Sequence, residues 1–358
     1  MNGLLSFIER HEHRLSTLVF ITGFVTDLLT LTLLDLRQIN LVFLAYLGIA
    51  ALLTICTHTF RQYVHEPASW LRSIAVCAPL GAAFTIGSIL SGCLILFTRS
   101  SALSVSWPFL LLLGMIFLGN ELFRSYRSHL VFQGILFFFA LYAYLIFAMP
   151  LYTHVLAPWV FLWSTTLAVL FFALFMCVLA LFSRQQFSST LWQVIGGAAG
   201  IVAVVVGLYY SGLVPPIPLT LMESGVYHSI TRTPDGYVVT HEGAGRWSRF
   251  LERTVHHVPG TPLYAYGAVF APAAFSENVI HRWERYDPAR GAWVTESVVA
   301  FTLSGGRKQG YRGYSEKSDP KPGTWRVSIE TLDGQVIGRL RFEVVNVSVP
   351  PRLYTSVR

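Results

Sequence analysis

Three arginines in the last strongly patterned stretch of the chain have the spacing of an anion-binding surface. The stretch is GTWRVSIETLDGQVIGRLRFEV, residues 323 to 344, and its alternation is typical of a β-hairpin. With Asp333 and Gly334 as turn residues, Arg326 lies opposite Arg341 on one face, which Arg339 shares. Like charges across a ladder are unfavourable. The repulsion is relieved either by an anionic partner, such as lipid headgroups, a cell-wall polymer or an acidic protein face, or by the diagonal acids Glu330 and Glu343.

A second candidate site combines cations with aromatic rings. His281 and Trp283 share one predicted strand, and a later strand carries Arg312, Tyr314 and Lys317. Neighbouring strands would present these side chains as a surface that stacks on sugar rings or pairs with carboxylates. The alternative is structural: the tryptophans Trp283 and Trp325 pack in the core, and the two cations form ion pairs with Glu284 or Glu316.

Asp27 is the ionisable residue that lies deepest in an apolar run, about midway along FVTDLLTLTLLD. Burying a carboxylate in lipid is costly, so such residues often belong to proton or cation paths. The alternative is a neutral carboxyl that is hydrogen-bonded to the surrounding threonines. Asp27 therefore supports a second functional hypothesis, a transporter or an ion-coupled membrane protein.

The sequence contains no recognisable motif for enzymatic or metal chemistry. GYSEK, around Ser315, is not a nucleophile elbow, and nothing in the spacing of Ser315, His281 and Glu284 implies contact. His256 and His257 are adjacent, so on a strand they point to opposite faces. Histidines and acids are scattered along the predicted cytoplasmic side without an HExxH motif. We therefore expect no catalytic residue, no metal and no cofactor.

Composition divides the chain into a lipid-soluble part and a water-soluble part. Hydrophobic residues make up 53% of the 358 and charged residues 13%. Up to about Pro218 there are nine Arg, no Lys and six acids, and the remainder holds fourteen Arg, three Lys and thirteen acids. The net charge of +7 is dispersed over both parts, which argues against nucleic-acid binding.

Seven apolar runs predict a polytopic α-helical membrane bundle. Each run is close to the ~20 residues that a helix needs to cross the hydrocarbon layer. Gly196 and Gly200 lie four residues apart in the last run, a spacing that suits close helix packing and a homo-oligomer. The runs are residues 18–34, 40–57, 74–97, 105–121, 130–149, 156–182 and 191–213.

Arginine positions predict the orientation of the bundle. With a cytoplasmic N-terminus, the inside segments hold seven Arg and the outside loops hold Arg37 and Arg99, which fits the positive-inside rule. Seven spans then place the C-terminal part outside the cytoplasm. We predict three regions, which are an interfacial segment at 1–16, the bundle at 17–214 and an extracytoplasmic β domain at 215–358.

The β domain is predicted as a small immunoglobulin-like sandwich. After the proline-rich stretch VPPIP, short strand-like runs alternate with Gly, Pro, Asp and Asn turns. They are GYVVTHE, RTVHHV, LYAYGAVFA, NVIHRWERY, AWVTESVVAFTL, GYRGYS and the closing hairpin. SRFLERTVHH could begin as a helical turn.

Three ordered motifs, VIHRWERYDP, GYRGYSEK and PGTWRVSIETLDGQVIGRLRFEV, resemble the bacterial family called domain of unknown function 2914. That family's pattern is a His-x-Trp strand, an aromatic-Arg-x-aromatic-Ser-x-Lys strand and a Gly-x-Trp hairpin. Here Tyr311 stands where Trp is common, Gly313 replaces a bulkier residue, and 219–275 has no counterpart. The resemblance implies an extracytoplasmic β domain and brings no catalytic residues. The matching positions are His281, Trp283, Glu284, Arg312, Tyr314, Ser315, Lys317, Gly323, Trp325, Val327 and Gly334.

These observations favour an integral protein of the bacterial cytoplasmic membrane with no recognised enzymatic activity. Its bundle would sit in the lipid bilayer and hold the β domain where it binds an envelope protein or a cell-wall polymer. The candidate binding residues are His281, Arg312, Tyr314, Lys317, Arg326, Arg339 and Arg341.

Overall fold

The computed structural model describes residues 21–31, 35–63, 69–100, 102–123, 126, 129–234, 236–243, 253–272, 275–306 and 309–358. The chain divides into two compact units. The helical unit is built mainly from the residues up to Ser211, and the β unit mainly from Gly212–Arg358. The predicted interfacial segment at 1–16 and the possible helical turn in SRFLERTVHH up to residue 252 lie outside the described residues.

The helical unit contains seven helices in the described part of the chain. Six of them are long and apolar enough to cross a membrane by length and composition, and the described part of the first, Ile21–Thr30, is shorter. The predicted apolar runs from 40 onward each coincide with one long helix. The helices are α1 (Ile21–Thr30), α2 (Leu36–Tyr63), α3 (Ser69–Arg99), α4 (Leu103–Leu122), α5 (Leu130–Thr153), α6 (Pro158–Phe182) and α7 (Arg184–Tyr210).

Helix α5 is the most buried of the candidate spans, and polar contacts tie it to α2 near both ends. At one end, Asn40 Nδ2 donates to Tyr152 Oη at 2.5 Å, and Tyr144 Oη donates to Asn40 Oδ1 at 2.9 Å. At the other end, His58 Nε2 lies 2.8 Å from Gln133 Oε1, and both side chains are buried. Because a polar group in an apolar medium is costly without a partner, these pairs favour one alignment of α2 on α5.

The β unit has eleven strands in three sheets, all within the described residues. The sheet orders are β1-β5-β8, β4-β10-β9-β6-β7 and β11-β3-β2. The strands are β1 (Thr220–Tyr227), β2 (Ser229–Thr233), β3 (Gly236–Glu242), β4 (Arg253–His257), β5 (Pro262–Phe270), β6 (Ser276–Asp287), β7 (Ala292–Ser304), β8 (Tyr311–Ser318), β9 (Gly323–Thr331), β10 (Val336–Asn346) and β11 (Leu353–Val357).

The sheet β1-β5-β8 forms the middle of three layers. One core joins it to the five-stranded sheet, around Trp283, Trp325 and Phe342, which are at most 1% exposed. A second core joins its other face to β11-β3-β2 through Tyr266 and Val239. The β-rich prediction is confirmed, but the immunoglobulin-like arrangement is not, because the strands form three sheets and β4 runs parallel to β10.

The closing hairpin has the predicted register but a different turn. Arg326 pairs with Arg341 and Trp325 with Phe342, as alternation requires. The turn is centred on Leu332 and Asp333, because the Gly334 N–H donates to the Thr331 carbonyl at 3.0 Å. Gly334 itself has a φ of 82°, which glycine adopts readily. A register shift between Val336 and Gly338 restores the predicted pairing.

Gly305 closely approaches the backbone at the end of β7. A Cβ at this position would lie 1.9 Å from the Pro272 carbonyl oxygen and 3.0 Å from that of Phe275. We expect Gly305→Ala to destabilise the β unit by about 1–3 kcal/mol, because backbone atoms would have to move. Gly313→Ala is the control, since the three atoms nearest to its Cβ would belong to the Phe301 ring and not to the backbone, and its effect should be smaller. Hydrogen exchange of the β6 and β7 amides in the full-length protein measures both, and equal effects would contradict this expectation.

Candidate functional site: the arginine face

The predicted arginines lie on the outer side of the five-stranded sheet, facing away from β1-β5-β8. Arg326 of β9 is directly opposite Arg341 of β10, and Arg339 is opposite Ser328. Because side chains alternate along each strand, these side chains lie on the face of the sheet that points away from the tryptophan core. We call this surface the arginine face. It consists of Arg282, Glu284, Trp293, Arg326, Ser328, Glu330, Arg339 and Arg341.

Two buried carboxylates neutralise two of the four arginines. Nε and Nη2 of Arg326 donate to Oε2 and Oε1 of Glu284 at 2.5 and 2.9 Å, in a bidentate pair. Arg282 donates through Nε to Glu330. Glu284 is 8% exposed and Glu330 6%. Planar guanidinium groups suit such pairs, so the carboxylates that relieve Arg326 and Arg282 come from the β6–β9 ladder.

Trp293 supports the opposed arginines from β7. Its ring centroid lies 4.4 Å from Cζ of Arg326 and 5.6 Å from Cζ of Arg341. A cation over an indole face is attracted by the ring quadrupole. The ring therefore partly offsets the repulsion between two like charges that the register brings together.

Arg339 is in a different environment from Arg326. Its Nε donates to the neutral hydroxyl of Ser328 at 3.1 Å. Burial lowers the pKa of Arg339, and the positive charge of Arg326 adds to that effect, although Glu284 and Glu330 act in the opposite direction. The structure thus holds a half-buried guanidinium against a hydroxyl rather than a carboxylate.

His281 lies in the core and not on a surface. It is 0% exposed, and its Nδ1 lies 2.9 Å from Ser315 Oγ, which also accepts a hydrogen bond from Trp283 Nε1 at 2.9 Å. Burial lowers the pKa of His281 to about 4. Ser315 and His281 therefore do meet, but Glu284 lies on the opposite face of the sheet with Arg326, so the three do not form a triad.

The remaining predicted surface residues do not join the arginine face. Lys317 Nζ lies 5.7 Å from the Trp325 ring centroid, at the edge of the core. Arg312 and Tyr314 lie on the side of β8 that faces β11-β3-β2, where Arg312 Nη2 donates to Gln309 Oε1 at 2.8 Å. Tyr314 packs near Tyr237 and Tyr264. The structure therefore brings together Arg326, Arg339 and Arg341 only.

Two polar clusters were not predicted from the sequence. The first is the Trp293 stack, in which Trp293 of β7 pairs with Tyr286 of β6 next to the β6–β7 turn. The second centres on Glu242, whose carboxylate accepts the His256 backbone N–H at 2.7 Å and lies 3.0 Å from His228 Nε2. Burial raises the pKa of Glu242, but these hydrogen bonds outweigh it and leave the pKa lowered. Among the residues that the structure describes, no group of three or more His, Cys, Asp or Glu could hold a metal ion.

In the helical unit, Asp27 accepts a hydrogen bond from the Ser91 hydroxyl of α3. The expected alternative was a threonine partner for Asp27, but the nearby Thr30 Oγ1 donates to the Thr26 carbonyl at 2.8 Å. Gly196 and Gly200 lie on α7, and a Cβ at either would meet no described atom within 4 Å. Asp27 is thus positioned by one neutral hydroxyl from a neighbouring helix.

Comparison with known families bears on the strands that carry the arginine face. Residues 276–344 match the family model described as Protein of unknown function (DUF2914). This confirms the resemblance. The DUF2914 region runs from β6 into β10, so it contains every residue of the arginine face and the His281–Ser315–Trp283 cluster. Three of the motif residues, His281, Trp283 and Ser315, are in contact in the core.

The other similar proteins do not indicate the fold or the function of this chain. No curated protein matches the chain. A β-glucosidase from Listeria innocua in complex with gluconolactone is 11% identical over 34% of this chain, which spans 16% of that protein's length, with a TM-score of 0.19. The Pseudomonas fluorescens alkylpurine DNA glycosylase AlkC, bound to DNA containing an abasic site analog, is 12% identical over 94% of this chain and 96% of its own, with a TM-score of 0.23.

Proposed function

We propose that this chain is an integral protein of the bacterial cytoplasmic membrane whose helical unit anchors the β unit for recognition. In this proposal the N-terminus is cytoplasmic, and the β unit lies outside the cytoplasm. The β unit has the recognition role of an immunoglobulin-like module and presents one face to an anionic envelope component or partner protein. The protein acts by binding rather than by catalysis.

The observation that carries this proposal is the unequal distribution of charge on the arginine face. Its two buried carboxylates are engaged by Arg282 and Arg326, while Arg341 is exposed on the same face. Oxyanions bind guanidinium groups well because the planar guanidinium fork can donate two parallel hydrogen bonds to two oxygens. The four arginines of this face outnumber its two carboxylates, so an acidic partner would complement its charge.

We expect Arg341→Glu to reduce capture of that partner at least tenfold, which corresponds to roughly 1.4 kcal/mol. A photo-crosslinking residue at Glu343, an exposed position two residues along β10, would trap the partner in cells. The trapped species would be identified by mass spectrometry. Arg290→Glu is the matched control, because Arg290 is also exposed and lies outside the arginine face. Equal capture by both variants, or capture of nothing, would contradict the proposal.

The second candidate function is a transporter or ion-coupled protein that uses Asp27. The Asp27–Ser91 contact favours it, because a carboxyl inside a helical bundle is costly unless it has a role. If Asp27→Asn alone gives the phenotype of a deletion strain while insertion is normal, this function replaces the first. Self-association of α7 through Gly196 and Gly200 is compatible with either proposal.

A further inference from the structure

Arg339 is hydrogen-bonded to a neutral hydroxyl, unlike Arg282 and Arg326 of the arginine face. Its Nε donates to Ser328 Oγ, and no other hydrogen bond or ion pair of this side chain is found among the residues that the structure describes. Arg326 and Arg282, by contrast, each bond a buried carboxylate. The two Nη groups of Arg339 therefore hold donors for which the described part of the fold supplies no acceptor.

Arg339 lies in a mixed electrostatic environment. The side chain is half-buried beside Arg326, and burial and that neighbouring charge act against its cationic form, whereas Glu284 and Glu330 favour it from a distance. Ser328, which it contacts, is 1% exposed. A partly desolvated cation is stabilised by a carboxylate or an equivalent acceptor in direct contact, and Arg339 has no such contact among the described residues.

Arg341 lies next to this site on the same face of β10. Residues two apart along a strand project from one face, about 7 Å apart, and Arg341 is exposed while Arg339 is half-buried. The Arg341 guanidinium stands over Trp293 with 5.6 Å between Cζ and the ring centroid. An anion that reaches Arg339 would therefore have a second guanidinium at its outer side.

We infer that Arg339 and Arg341 bind one phosphate ester group, with Arg339 as the inner ligand and Arg341 as the outer one. The inference rests on the proposed recognition function and names its ligand class. A phosphate monoester offers three terminal oxygens and can meet two guanidinium forks at once, whereas the two oxygens of a carboxylate are satisfied by one fork. The phosphate belongs either to a lipid headgroup or to a soluble or polymeric phosphate ester.

Inorganic phosphate is a direct probe of this site. The full-length protein in phosphatidylcholine nanodiscs would be titrated with sodium phosphate or with sodium chloride at equal ionic strength. Opening of the β9 and β10 amides would be followed by hydrogen exchange. Ligand that binds only the folded state slows exchange by the factor 1 + [L]/Kd, about tenfold at ten times Kd. We expect a saturable effect of phosphate that chloride does not produce.

Two variants separate binding from general salt effects. Arg339→Gln should abolish the saturable effect, while Arg290→Gln, which removes the same charge from an exposed turn, should retain it. A phosphate effect that is linear, or that is equal in the wild type and in Arg339→Gln, would overturn the inference. Equal saturation by sodium acetate would overturn the assignment to phosphate.

The source of the phosphate is tested by changing the lipid. If a headgroup is the ligand, nanodiscs that contain phosphatidic acid, a monoester unlike the diester phosphatidylcholine, should slow exchange in the wild type but not in Arg339→Gln, with no phosphate added. If the lipid has no effect and added phosphate does, the ligand is a soluble or polymeric ester. A phosphate site without any crosslinked partner would refute the recognition function alone, whereas a crosslinked partner without a phosphate site would refute this inference alone.

Discussion

Glu284→Gln is expected to lower the free energy of unfolding of the β unit by about 3 kcal/mol, because it breaks a buried and bidentate ion pair. The Glu284 carboxylate accepts two hydrogen bonds from Arg326 and is 8% exposed. Its loss leaves Arg326 beside Arg339 and opposite Arg341 with no carboxylate in direct contact among the described residues. Hydrogen exchange of the β6 and β9 amides would measure the change.

A double-mutant cycle identifies the cause of this loss. Arg326→Met keeps the packing against Trp293 and removes the stranded charge, so the double variant Glu284→Gln/Arg326→Met should recover most of the stability. The matched control is Glu296→Gln, which breaks the more exposed pair with Arg285 at 3.3 Å on the same sheet and should cost less than about 1 kcal/mol. If both Glu→Gln changes cost the same, burial of the pair is not what stabilises this face.

Much of the fold could be predicted because the governing signals are local. A helix that crosses a bilayer must be long and apolar, and the runs from 40 onward coincide with α2 to α7. Strict alternation fixed the register of Arg326 on Arg341, even though the turn differs from the predicted one. Shifting a strand by one residue would turn its polar side chains into the core. The register shift between Val336 and Gly338 therefore compensates for the different turn, and the pairing along the rest of the hairpin is the predicted one.

The third sheet could not be predicted from the same signals. Its strands β2 and β11 are five residues long and lie at the two edges of the sheet, with mixed patterns as in SITRT and LYTSV. Their pairing is also non-local: β11 joins β3, more than a hundred residues earlier. Short strands with little burial lack the apolar alternation that identifies a strand, so an immunoglobulin-like sandwich was the simpler expectation.

The site was predicted in part for a related reason. The hairpin register is enough to place Arg326, Arg339 and Arg341 together, since all three lie on adjacent strands. Glu284 of β6 and Trp293 of β7 lie on two further strands, whose position beside β9 the hairpin alone does not determine. His281 and Lys317 were predicted to lie at a surface. The sequence indicated their strands, but it did not indicate that another sheet would cover that side of them.

Acidification is expected to destabilise the β unit through His281 by about 3 kcal/mol between pH 6.5 and pH 4. Burial lowers the pKa of His281 to about 4 from an ordinary value of 6.5. A folded-state pKa below the unfolded one means that the neutral form is preferred. The stability that this preference contributes is complete above pH 6.5 and is lost as the pH falls toward 4, at roughly 1.4 kcal/mol per unit.

The substitution His281→Phe isolates that contribution. Phenylalanine keeps an aromatic ring against Phe301, whose centroid lies 4.8 Å from that of His281, but it cannot titrate. The variant loses its contact with Ser315 and should be less stable at pH 7. The informative quantity is therefore the slope of the free energy of unfolding between pH 6.5 and pH 4. It is measured by hydrogen exchange of the β6 and β8 amides, corrected for intrinsic rates. Glu242, whose pKa is lowered, loses its contribution only below about pH 4.5 in both proteins. A slope as steep in His281→Phe as in the wild type would show that acid acts elsewhere and that the buried imidazole is not the sensitive group.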